Sequence, residues 1–257
     1  MSGYLTSVSR RFIRTAFLFA AFLAPHAGGC SAHTAPPKNA EPSSAPAVSE
    51  PSVRPGVNDE YKKKDLKVDE WAGKFESESR EIFTQRLGIL AACRVKPGMA
   101  VADIGAGTGF MTELFSNTVG PSGMVYAVDI TPAFLERIRN RAAQQRRTNI
   151  VTVLGKEDSA ELPPGSIDLA FICDTYHHFE FPRTEMASIH RALRPGGTLV
   201  VVDFIRKEGV SRPWVLEHVR AGQGIVTREL IDSGFEPLND PPADFLKENY
   251  LIQFRRP

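Results

Sequence analysis

The sequence is short of several things, and each shortage removes a class of protein. Three cysteines in 257 residues cannot build a disulfide framework. Cys93 and Cys173 sit in apolar surroundings and read as small buried hydrophobes. An excess of one charge is missing too, since 31 Lys and Arg against 30 Asp and Glu give a formal charge of +1. Arg10, Arg11 and Arg14 precede the first acid, Glu41, and without them the rest is slightly acidic. Such a body lacks the basic face that a broad nucleic-acid footprint needs, so no nucleic-acid partner is expected. Long apolar runs are absent: the most apolar stretch, TAFLFAAFLA at 15–24, has half the ~20 residues that span a bilayer. No internal repeat is present.

What stands at the start instead is a basic stretch, SVSRRFIR, the short apolar core, and small residues ending in HAGGC. That order predicts a signal peptide over 1–29. Its ending resembles a bacterial lipobox, which implies cleavage before Cys30, lipid on that cysteine, and a membrane-anchored protein of the cell envelope. Residues 30–57 are rich in Pro, Ala and Ser and are expected to form an extended, disordered tether. From 58 to 98 the chain is charged, with Ile82, Phe83, Leu87, Leu90 and Ala91 at helical spacing. N-terminal helices are expected there, with Trp71 and Phe75 as candidates for a lid.

The region 99–257 alternates strand and helix patterns. Strands are expected at 99–104, 124–130, 150–154, 167–173 and 198–204, with two closing strands at 235–238 and 250–254. Helices are expected at 110–119, 132–145, 183–193, 213–219 and 227–233. This is an α/β pattern, a largely parallel sheet covered on both faces. Ligands in such sheets bind beyond the carboxyl ends of the strands, which narrows the search to the loops there.

The first of those loops reads VADIGAGTGF. Gly105, Gly107 and Gly109, with Ala106 and Thr108 between them, follow a strand and open a helix. Glycine lets the backbone turn sharply and come close to a ligand. The dinucleotide fingerprint is G-x-G-x-x-G. Here the spacing is G-x-G-x-G, and Phe110 stands where the third glycine would be. No Walker Lys-Ser/Thr pair follows. The loop after the strand at 167–173 reads CDTYHHFEFP and offers Asp174, Tyr176, His177 and His178 as acid/base or substrate-positioning groups. Two adjacent histidines without a third ligand at suitable spacing predict no metal site. The segment at 212–224, with Trp214, Leu216, His218 and Arg220, reads as a surface helix docked through Trp214 and Leu216 or, in a small-molecule enzyme, as a cover over the substrate.

VADIGAGTGF resembles motif I of the class I S-adenosylmethionine-dependent methyltransferases, written acid-x-G-x-G-x-G. VYAVDI at 125–130, LGKEDSAELP at 154–163 and RALRPGGTLVVVDF at 191–204 resemble later motifs of the same family, in order. The resemblance implies a three-layer Rossmann-like fold with a seven-stranded, mostly parallel sheet and an antiparallel C-terminal strand. It implies S-adenosyl-L-methionine as cofactor, with the glycine loop beneath its aminoacid and ribose parts. Asp103 would hold the ammonium group. Asp129 would accept the ribose hydroxyls, with Ile130 beside it. Asp158 and the Ser159 N–H would meet the adenine. The layout is similar to the branch that methylates small molecules, with quinone-biosynthesis enzymes among its members. Two other readings stand beside it: a non-catalytic lipoprotein that keeps the fold as a binding module, and a nicotinamide-dependent oxidoreductase. Export also sits awkwardly with a cofactor made in the cytosol. A start downstream, at Val53 or Val57, would make the protein cytoplasmic.

Overall fold

The computed structural model describes residues 50–239 and 243–257. The expected signal peptide, Cys30 and residues 30–49 of the expected tether lie outside the described residues. Helices run at Val68–Phe75 (α1), Glu81–Thr84 (α2), Arg86–Ala92 (α3), Phe110–Val119 (α4), Pro132–Gln144 (α5), Pro182–Ala192 (α6), Pro213–His218 (α7) and Gln223–Asp232 (α8). Strands run at Ala100–Ile104 (β1), Met124–Asp129 (β2), Ile150–Leu154 (β3), Ile167–Cys173 (β4), Leu193–Phe204 (β5), Glu236–Pro237 (β6) and Asn249–Arg255 (β7). One correction concerns β5. RPGG at 194–197 was expected to separate helix from strand, but the strand begins at Leu193, with a register shift opposite Ile167 and Leu169.

The seven strands order as β3-β2-β1-β4-β5-β7-β6. Pairing is parallel from β3 through β5, and β7 lies antiparallel to β5. The alternation of side chains across the pleat explains the layers. Ala102, Ile104, Ala170, Ile172, Leu199 and Val201 share a core with Met186 and Ile189 of α6 and with Val226 and Leu230 of α8. Val101, Leu169, Phe171, Val200 and Val202 face the other way, against Ile89 of α3 and Met111 and Phe115 of α4. Ile138 of α5 packs with Ala127 of β2 and Ala106. Phe115 meets Phe171 edge-on at 5.0 Å between ring centroids, a geometry worth about 1 kcal/mol beyond burial.

Strand order reverses beside β1: the chain moves outward to β2 and β3, then returns to β4 on the other side. The loops after β1 and β4 therefore diverge and leave a crevice at their carboxyl ends.

Residues 50–57, expected within the tether, pack on this body. Glu180, itself buried, accepts hydrogen bonds from Ser52 Oγ (2.9 Å) and Gly56 N (3.0 Å), and its backbone carbonyl accepts from Val53 N. Glu50 accepts from the backbone N–H groups of Arg183 (3.0 Å) and Thr184 (2.8 Å). Those donors are free because the first turn of α6 has no side-chain cap of its own. The physical reason for the difference is that composition reports what a segment cannot bury, not which unpaired groups its polar atoms will meet.

Candidate active site

A cleft opens over the carboxyl ends of β1, β2 and β4. Its floor is the glycine turn. Gly105, Gly107 and Gly109 have φ of 71°, 53° and 88°, values that L side chains rarely adopt. A Cβ on Gly105 would lie 2.3 Å from Thr175 Cγ2, and one on Gly109 would lie 2.6 Å from Ile138 Cγ1. The bareness expected to serve a ligand therefore also serves packing at these two positions. Over Gly107 the nearest side-chain atoms belong to the Phe75 ring, at 3.5 Å from such a Cβ.

Asp129 ends β2 and is almost wholly buried. Its Oδ2 accepts from Gly107 N and its Oδ1 from Thr131 N, both at 2.8 Å. The Thr131 hydroxyl and the Ile130 N–H also bear on this carboxylate. Burial raises its pKa, against the lowering effect of these N–H donors. Asp103 lines the same cleft and accepts from Thr112 Oγ1 at 2.6 Å. Burial pushes its pKa up to about 7, with the Thr112 hydrogen bond opposing and Asp129 adding to the rise. Thr108 Oγ1 and Glu185 Oε2 are buried without a hydrogen-bond partner, and both residues line the cleft. Buried polar atoms in that state are uncommon and favour a polar occupant. Ala106, Ile130 and Ser159 line the cleft as expected. Asp158 does not: it is exposed, and Glu157 and Ser159 face the space instead.

The loop after β4 divides its side chains. Asp174 has φ of 46° and lines the cleft. Arg80 donates to its Oδ2 and Asn249 Nδ2 to its Oδ1, the latter at 2.8 Å. Burial lifts its pKa to about 6 despite Arg80. Tyr176 corrects the expectation of a catalytic side chain. It is fully buried among core residues, lines neither cavity, and donates to Glu229 Oε2 of α8 at 2.9 Å. Arg220 pairs with the same Glu229 through two hydrogen bonds of 2.9 and 2.8 Å, so it belongs to this support rather than to a substrate cover.

His177 and His178 line a second cavity that adjoins the first and shares Tyr61, Phe75, Arg80, Ile82, Asp174 and His178 with it. His177 is buried, with Nδ1 at 2.7 Å from Asp203 Oδ1. His218 of α7 brings its Nε2 to 3.3 Å from His178 Nε2. Burial lowers the pKa of both His178 and His218, and the neighbouring imidazoles lower them further. One ring nitrogen from each of the three histidines lies within 4.8 Å of the others. The third imidazole missing from local spacing is thus supplied by the fold. Trp71 and Trp214 line this cavity as well. The aromatic layer of Tyr61, Trp71, Phe75 and Phe134 covers the seam, with centroid separations of 5.1 to 6.5 Å. Thus α1 and α7 sit where lids were expected.

Sequence reading missed Arg80, Asp203 and Glu185. Glu185 carried a signal: it occupies the apolar stripe of α6, one residue before Met186 and four before Ile189.

Residues 102–201 match the methyltransferase-domain family. The fold is the class I methyltransferase fold. The methyltransferase fold is shared with a S-adenosylmethionine-dependent methyltransferase from Aquifex aeolicus, at TM-score 0.65 and 23% identity over 75% of this chain and 100% of that one. It is shared too with the [4+2]-cyclase SpnF, at TM-score 0.59 and 16% identity over 67% of this chain and 80% of that one. Among sequences, the ubiquinone/menaquinone biosynthesis C-methyltransferase of Hahella chejuensis is 34% identical over 43% of this chain and 45% of its own length. That of Marinomonas sp. is 32% identical over 44% and 46%. The chain spans about half the length of these curated relatives.

Proposed function

We propose that the protein is a methyltransferase that uses S-adenosyl-L-methionine and acts on a small-molecule acceptor. The observation that carries this reading is Asp129, fixed by Gly107 and Thr131 at the glycine turn, beside a cleft with unpartnered Thr108 and Glu185 oxygens. These residues suit a nucleoside without phosphate. Asp129 would take the ribose hydroxyls, Asp103 the ammonium, and Glu185 with the Ser159 region the base. When bound, S-adenosyl-L-methionine supplies a methyl carbon activated by the adjoining sulfonium. The chain's work is then to align an acceptor and exclude water. Asp174, fixed by Arg80 and Asn249, shapes the passage between the two cavities. His177 and His178 line the acceptor cavity as acid/base or positioning groups. The C-methyltransferase relatives favour a small cyclic acceptor of quinone type. The cyclase SpnF shares the fold, and it makes acceptor turnover, not cofactor binding alone, the deciding measurement.

Calorimetric titration of the protein with S-adenosyl-L-methionine and with NAD tests the reading. Binding of the first alone, lost in Asp129→Ala with the thermal transition retained, is expected. A preference for NAD, or unchanged affinity in the variant, overturns it. Methyl transfer to phenolic or quinol acceptors then separates an enzyme from a binding module.

The signal-like start and AGGC support a second part of the proposal: the chain is a lipid-anchored protein of the cell envelope, attached through Cys30. Mass spectrometry of the native N-terminus checks it, and an unprocessed Met1 or an unmodified Cys30 refutes it.

A further inference from the structure

We propose that His177, His178 and His218 form a binding site for one divalent transition-metal ion, with zinc the best match. The site lies in the acceptor cavity, where that cavity adjoins the cleft assigned to the cofactor at His178.

Two separate parts of the chain build it. His177 and His178 stand in the turn after β4, and His218 closes α7 forty residues further on. Their ring centroids are 4.4, 5.1 and 5.0 Å apart. Tetrahedral zinc with bonds of about 2.1 Å places its ligand nitrogens about 3.4 Å apart. His178 Nε2 and His218 Nε2 already stand at 3.3 Å. All three ligand atoms lie within 4.8 Å, so the third needs a shift on the order of 1 Å.

The support behind the first imidazole is of the kind that metal ligands have. Asp203 Oδ1 takes the Nδ1 proton of His177 at 2.7 Å, which leaves Nε2 with a free lone pair. Asp203 is itself held: its two oxygens accept from His177 N (3.1 Å) and Phe204 N (2.8 Å). The carboxylate sits on β5 and the imidazole after β4, so the sheet sets their orientation.

Three nitrogen ligands leave the fourth tetrahedral position open, the pattern of catalytic rather than structural zinc. That position opens on a cavity lined by Tyr61, Trp71 and Trp214. The carboxylates that line the cavity are already committed: Asp174 to Arg80 and Asn249, Glu248 to Arg212, and Glu81 to the backbone N–H groups of Lys247, Glu248 and Asn249. They do not complete the ligand set, so an exogenous oxygen or sulfur ligand does. Imidazole-rich sites suit zinc, copper, nickel and iron, whereas magnesium and calcium prefer oxygen.

The test uses untagged full-length protein stripped with chelator and titrated with Zn(II), and with Co(II) as a spectroscopic probe. One equivalent should bind, and Co(II) should give the intense visible bands of a tetrahedral nitrogen site. His218→Ala, on a partly exposed helix end, should keep the thermal transition and lose the site. Asp203→Asn should weaken zinc by about 10- to 100-fold. Failure of the wild type to bind an equivalent, or equal binding by His218→Ala, overturns the proposal. No S-adenosyl-L-methionine is present in these titrations, so their outcome is independent of the methyltransferase reading.

Discussion

The charge on Asp103 should govern how tightly the protein captures its cofactor. The carboxyl lies behind the glycine turn, 3% exposed, with one hydrogen bond from Thr112 and Asp129 as a like-charged neighbour. Burial raises its pKa to about 7. Only the ionised form pairs with an ammonium group, and that pairing draws the pKa down in the complex. Binding therefore releases a proton wherever the free protein holds one. Affinity should fall as pH drops through 7, by about tenfold at about pH 6 and about a hundredfold at about pH 5, or ~1.4 kcal/mol per unit. Asp103→Asn keeps the shape and an acceptor for Thr112 but cannot titrate. Its affinity should be weaker near pH 8, with most of the slope gone. Calorimetry in buffers of different ionisation enthalpy reads both the affinity and the proton released. Equal affinity of the wild type at about pH 5.5 and pH 8, or an equal slope in the variant, would show that Asp103 braces the loop and does not hold the ligand.

Glu185 tests burial alone. Desolvation raises its pKa from 4.5 to about 8, so the stability tied to its neutral form is present in acid and is lost as pH rises through 8. Glu185→Gln should gain on the wild type by about 3 kcal/mol between about pH 5 and pH 8 in urea unfolding, and parallel curves would refute this. Gly105→Ala should cost about 2 kcal/mol or more, because φ is +71° and Thr175 occupies the Cβ position; a variant of wild-type stability would show that the turn relaxes freely. Tyr176→Phe removes the hydroxyl bonded to Glu229 and should lower stability by about 1–3 kcal/mol with kcat unchanged. A large fall in kcat at unchanged stability would return Tyr176 to the chemistry.

Sequence alone determined the strand and helix order and the glycine turn, and the family resemblance added Asp129 at the end of the next strand. The strand and helix order and the glycine turn follow from local rules. Apolar spacing differs between helix and strand, and a positive φ selects glycine whatever the distant contacts are. Helices α4 and α5 and strands β3 and β4 fall within a residue of the pattern for the same reason. Tertiary structure decided the rest. Tyr176 and His177 are adjacent in sequence, yet one enters the core and the other the second cavity, because the short helical turn at Tyr176–His178 sends successive side chains in different directions. Asp174 finds Arg80 across 94 residues, and His178 finds His218 across 40. No spacing rule reaches so far along a chain: the parallel sheet sets which loops meet at the strands' carboxyl ends, and only then do charge and lone-pair geometry act between them.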